Sequence, residues 1–153
     1  VKELEAQIKA WHHGSELSRK LEKIPGIGPL AASALVASIA DARSFKNGRQ
    51  VAAWLGLVPK QTGTGGRVKL LGISKRGDTY LRTLLIHGAR SVLTHTKQPG
   101  AWLQGIKSRR PVNVVIVAQA AKTARTIWAL AAKEQDYQRN HHSVRLQATV
   151  HPA

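Results

Sequence analysis

The string Ile24-Pro25-Gly26-Ile27-Gly28 separates a Leu-rich segment from an Ala-rich one, and its residue types suit the holding of an oxyanion. Two glycines allow a tight turn that exposes backbone N–H groups, and a helix opening at Pro29 adds the positive end of its dipole. A phosphate oxygen can dock there without any base being read. Pro25, Gly26, Ile27 and Gly28 are therefore candidate phosphate-contacting residues, with Ile24 and Ile27 as apolar anchors beneath the turn. An ordinary turn between two packed helices would carry the same string.

A second candidate stretch runs from Lys60 to Arg82. It holds Lys60, Arg67, Lys69, Lys75, Arg76 and Arg82, with Asp78 as its single carboxylate. Gly63, Gly65, Gly66, Gly72 and Gly77 mark backbone that bends or approaches something closely. No Gly-Lys-Ser/Thr ends the stretch, so it is not a Walker-type phosphate loop. It reads as an exposed, irregular, basic Gly-rich loop facing phosphates, and Ser74 offers a further hydroxyl contact. A merely solvated basic loop has the same composition.

Other chemistries are poorly provided for. The carboxylates are Glu3, Glu5, Glu16, Glu22, Asp41, Asp78, Glu134 and Asp136, and no three or four are spaced like a two-metal nuclease site. The adjacent pairs His12-His13 and His141-His142 do not converge on a helix or strand and read as solvated surface. No metal ligands and no cofactor are expected in this chain. With no cysteine there is neither a disulfide framework nor a thiolate zinc site, and a cytoplasmic protein is expected.

Lys and Arg number 24 against 8 Asp and Glu in 153 residues, a formal net charge of +16. Such a chain seeks polyanions, which leaves nucleic acid, an anionic membrane surface and an acidic protein as possible partners. No uninterrupted apolar run of about 18 residues is present to span a bilayer, and acids among the first residues argue against a secretory signal. No membrane partner is expected.

The elements that must position these residues are mostly helices. Leu4, Ile8 and Trp11 form one stripe of a helix over 2–12 that packs on something. A helical segment over 15–23 is stopped by the Pro-Gly string, and Pro29 opens the next. A short buried helix over 50–55 ends at Gly56. Asp78 caps a helix that aligns Leu81, Leu84, Leu85, Gly88 and Val92. A long helix over 112–133 has Val114, Val117, Ala118, Ala121, Ala124, Trp128 and Ala131 as its stripe, and the polar, His-rich tail from 138 is frayed. The expected fold class is mainly α, a helix-hairpin-helix-containing helical domain with an irregular basic Gly-rich loop.

Four ordered blocks carry a resemblance: LEKIPGIGPLAASALVASI, FKNGRQVAAWLGLVPKQ, GGRVKLLGISKRGDTYLRTLLIHGAR and AKTARTIWAL. Over roughly residues 15–137 the chain resembles the C-terminal region of the insertion sequence 110 family of transposases, the 116/110/902-type transposase domain. The resemblance implies an N-terminal RuvC-like domain with an Asp-Glu-Asp-Asp metal site, which would hold Mg, joined to a C-terminal domain that supplies a nucleophilic serine. It also implies homo-oligomers and a structured guide RNA that bridges donor and target DNA.

The family serine follows the Val-Pro pair, where this chain reads Gln61-Thr62-Gly63-Thr64-Gly65-Gly66. Thr64 is the best stand-in: a threonine oxygen can attack phosphorus, although its methyl group restricts χ1 and crowds the approach. The alternative, that Thr62, Gly63 and Thr64 line a DNA-contacting turn in a catalytically silent fragment, stays open. Residues 1–14 are then a helix leading in from a missing N-terminal domain. Residues 15–137 are the transposase domain, with its helix-hairpin-helix at 15–40, and 138–153 a variable polar tail. The expected function is DNA binding and strand exchange in transposition, inactive without the metal-binding half; the alternative is a non-catalytic DNA- or RNA-binding module or an inactive remnant. Arg67, Lys75, Arg76 and Arg82 are expected to meet phosphates and to stabilise a pentavalent phosphorus.

Overall fold

The Ala-rich run Val112–Ala132 forms α7, and its small side chains let other helices approach it closely. In the computed structural model, which describes residues 1–63 and 65–139 apart from the side chain of Leu70, α7 is the axis of a mainly helical molecule. Thr64 and residues 140–153, with His141 and His142 among them, lie outside the described residues. α7 buries Val115, Ile116, Ala120, Ala121, Thr123, Ala124, Ile127 and Leu130. The stripe expected from spacing is thus rotated, and Val114 stays 48% exposed. The reason is that α4 (Gly48–Trp54), α5 (Thr79–His95) and α2 (Glu16–Glu22) all pack on α7, so no single face carries its apolar residues. By length and composition α7 would also reach across a membrane, but in this fold it is the central core helix.

α1 (Lys2–Gly14) contacts α2 and α3 (Pro29–Ile39). Of its expected stripe only Ile8 is half-buried, while Leu4 is 62% and Trp11 47% exposed. His12, read from sequence as solvated, is instead fully buried. Its Nδ1 lies 2.7 Å from Ser18 Oγ and its Nε2 2.8 Å from Glu22 Oε2, and these bonds clasp α1 to α2. Ser15 ends α1 and caps α2, its hydroxyl accepting from the Ser18 N–H at 3.2 Å.

After α3 a single 3-10 turn, Ala42–Ser44, is tied to α7 by the Trp128 indole N–H, which donates to the carbonyls of Ala42 (3.1 Å) and Phe45 (3.2 Å). Asn47 caps α4 and Asp78 caps α5, each side chain accepting a backbone N–H from three residues on. Between those helices the stretch expected to be irregular forms an antiparallel β-hairpin, β1 (Pro59–Thr62) with β2 (Lys69–Ile73). Its pairing shifts between Pro59 and Gln61, a local irregularity that adds twist. A short helix that the sequence pattern does not announce, α6 (Ala101–Lys107), packs on α7 through Leu103.

Candidate nucleic-acid interface

The turn between α2 and α3 is held from below and from one side. Ile24 and Ile27 are buried at 4% and 5% exposure, as their apolar character requires, while Pro25 and Gly28 remain exposed. Gly26 adopts φ +87°, a conformation open to glycine, and its backbone lies against Gly88 of α5. The Ile27 N–H donates to the Ile24 carbonyl at 3.0 Å, so that amide is not free for an anion, contrary to the open hairpin anticipated from sequence. The Gly28 N–H, at the start of α3, finds no protein acceptor among the described residues.

The β-hairpin rises from a tightly closed base. The Ser74 N–H donates to the Val58 carbonyl (2.9 Å) and the Lys75 N–H to the Gly56 carbonyl (3.1 Å). Gly56 and Gly77, with φ of +72° and +83°, permit close backbone approaches to Arg76 and Trp54 respectively. Lys75 also has positive φ, +54°, unusual for a residue with a Cβ. From this base Lys60, Arg67, Lys69, Lys75 and Arg76 are all exposed, and Ser74 is half-buried. Asp78 accepts from the Leu81 N–H, and among the described residues no carboxylate pairs with any of the five cations.

Arg82 is the exception. It is 8% exposed, and its Nη1 donates to the carbonyls of Leu55 (3.2 Å) and Arg76 (3.0 Å) while its Nη2 donates to Thr79 Oγ1 (3.3 Å). Its guanidinium cross-links the two chain segments at the base of the hairpin, so it does not face outward as expected. Turn and hairpin share one support. The hairpin feeds into α5 at Asp78 and the turn meets α5 at Gly88, about 15 Å further along the axis at 1.5 Å per residue.

Two groupings escaped the sequence reading. Ser18, His12 and Glu22 have the hydrogen-bond order of a hydrolytic triad, but Ser18 and His12 are at 0% exposure, so no electrophile reaches the hydroxyl. The spacing of Ser18 and Glu22, four apart on one helix, was the available signal. The second grouping is cationic: Arg49 of α4 with Lys122 and Arg125 of α7. Burial, then the charge of Arg49, lowers the pKa of Arg125; burial, then the charge of Arg125, lowers that of Lys122. Two bases three residues apart in an otherwise apolar helix were the signal here. Among the described residues no three His, Asp or Glu side chains come together to hold a metal ion, so this donor set does not fit a two-metal centre.

Residues 18–103 match the family model described as the transposase IS116/IS110/IS902 family. The chain is 55% identical over 141 residues to a probable family 20 transposase of Pseudomonas aeruginosa, covering 90% of this chain and 42% of that protein. It is 42% identical over 141 residues to the transposase for insertion sequence element IS1111A of Coxiella burnetii, covering 90% of this chain and 39% of the relative. Similarity to the transposase for insertion sequence element IS1328 of Yersinia enterocolitica is 38% over 137 residues, with 87% and 41% covered. The chain spans about two fifths of the length of these curated relatives.

Proposed function

The chain belongs to the IS116/IS110/IS902 family of transposases, and on that premise we propose that it is the DNA-binding and strand-exchange part of an insertion-sequence transposase. One observation carries the reading: Lys60, Arg67, Lys69, Lys75 and Arg76 stand exposed on one β-hairpin and its base, with no carboxylate pairing among the described residues. Charges so arranged bind phosphates irrespective of sequence. The α2–α3 turn acts with them as a helix-hairpin-helix, in which the Gly28 N–H and the start of α3 receive a backbone phosphate and Pro25 and Gly26 shape the approach.

Strand exchange is assigned to Thr64, in the position of the family serine. Its hydroxyl oxygen bonds to the scissile phosphorus as the bond from phosphorus to the bridging oxygen breaks; the hydroxyl proton ends on the departing deoxyribose oxygen, and the phosphate stays linked to Thr64. The rest of the longer protein supplies a RuvC-like, Mg-binding half, and the assembled transposase is a homo-oligomer that works in the bacterial cytoplasm with a structured guide RNA.

The lack of a serine between Pro59 and Val68 favours a second reading, a module that binds nucleic acid without cutting it. Full-length protein incubated with its element ends separates the two. A covalent protein–DNA adduct that is lost in Thr64→Ala and kept in Thr62→Ala supports the enzyme, whereas an adduct unaltered by Thr64→Ala removes that residue, and no adduct at all leaves the binding module. The binding reading itself fails if the chain's affinity for a DNA duplex is unaffected by salt.

A further inference from the structure

Arg49, Lys122 and Arg125 sit on elements other than the turn and the hairpin. Lys122 and Arg125 are three residues apart on α7 and so share a side of that helix. Arg49 and Arg125 line one open depression together with Asn47, Gly48 and Trp128. The proximity has a backbone cause: a Cβ on Gly48 would stand 2.8 Å from the Arg125 Cα, so the first turn of α4 rests directly on α7. Lys122 Nζ lies 4.2 Å from the centre of the Trp102 ring, which restrains it at the edge of the cluster.

No carboxylate pairs with any of the three among the described residues. All three side chains are exposed, so solvent reaches them, yet the partial desolvation of Lys122 and Arg125 and the repulsion within the cluster disfavour their charged forms, as the lowered pKa values of those two reflect. Folding does not call for charge here, since uncharged side chains of similar length would fill the same space without repulsion. An anion with several oxygens reverses the balance, because guanidinium forks match phosphate geometry and the cations then share a counter-charge.

We propose that Arg49, Arg125 and Lys122 form a second phosphate-binding site, which takes a phosphodiester of a nucleic-acid backbone in addition to the contacts at the hairpin. The inference rests on the nucleic-acid-binding reading above and extends it to a face built by α4 and α7. Arg49 and Arg125 grip the phosphate, Lys122 adds charge, and Gly48 and Trp102 act as positioning residues.

The test is a binding titration of the full chain across a salt series, with a labelled DNA duplex and, in parallel, an RNA duplex of the same sequence. Three proteins are compared: wild type, Arg49→Gln/Arg125→Gln and Lys75→Ala/Arg76→Ala. The Arg49→Gln/Arg125→Gln protein is expected to melt no lower than wild type and to bind with a salt slope shallower by about two units, roughly one for each cation removed. A shallower slope with either duplex supports the site and names its source. If wild type binds, and the Lys75→Ala/Arg76→Ala protein is weakened while the Arg49→Gln/Arg125→Gln protein is unchanged on both duplexes, this inference alone is overturned. Wild type that binds neither duplex overturns it together with the function above. If the Gln variant loses its helical signal, Arg49→Lys/Arg125→Lys decides: it keeps the charge and loses the fork, so weakened binding supports the site and unchanged binding overturns it.

Discussion

Gly26 and Gly88 touch backbone to backbone: a Cβ added to Gly26 would stand 2.6 Å from the Gly88 carbonyl oxygen. This contact seats the α2–α3 turn on α5, the same helix into which the β-hairpin leads. It is a contact between two backbones, which cannot yield as the end of a flexible side chain can.

Gly88→Ala is expected to destabilise the protein by about 1–3 kcal/mol through overpacking, although alanine is the better helix former by up to about 1 kcal/mol. Gly105→Ala in α6 provides the control, since a Cβ there meets nothing within 4 Å and should stabilise. Urea denaturation of both variants checks the opposite signs. Equal shifts for the two would show that Gly88 is an ordinary helical glycine.

Arg82 predicts a separation of stability from binding. Arg82→Met leaves the carbonyls of Leu55 and Arg76 without their donor, a loss of about 2 kcal/mol. Arg82→Lys should recover little, because a single ammonium cannot reproduce the fork. Where these variants stay folded, the salt slope of DNA binding is expected to match wild type. A slope lowered by one unit would return Arg82 to the interface.

Lys75 and Arg76 predict the reverse. Both are exposed and unpaired by acids among the described residues, so Lys75→Ala/Arg76→Ala should leave the melting temperature nearly unchanged. Affinity should fall alike for unrelated duplexes, with the salt slope lower by about one unit for each phosphate no longer neutralised. Weakening on one sequence only would mean that bases, not phosphates, are read.

Lys122 makes a pH prediction. Its pKa is lowered in the folded chain from the ordinary 10.5, so between the folded and unfolded values the unfolded chain binds more protons. Stability therefore rises with pH in that alkaline window as the partial desolvation of this exposed ammonium and its repulsion from Arg125 are relieved. Comparing denaturation midpoints of wild type and Lys122→Met through this range isolates the effect. The gap between the two should narrow as pH rises, and a gap that stays constant would show that Lys122 is charged equally well in both states.

Local chemistry was legible in the residues themselves. Asp78 as a cap, Pro29 at a helix start, Gly56 at a helix end and Ile24 and Ile27 beneath the turn each depend on a few neighbours in the chain, because capping, φ restriction and short-range burial are settled there. The blocks that carry the family resemblance were legible for the same reason, being continuous strings. The pairing of β1 with β2 was not, since a Gly-rich segment without alternation does not announce a register. The buried face of α7 was hidden because several helices cover it from different sides. Above all, composition alone could not tell which cations face solvent. Arg82 and Arg76 look alike in sequence, yet one is spent on carbonyls inside the fold and the other is exposed. Arg49 meets Arg125 only because Gly48 lets two distant helices touch. Whether a charge is solvated, buried or crowded depends on what the folded chain brings beside it, and that is a property of three-dimensional packing, which spacing along the chain does not record.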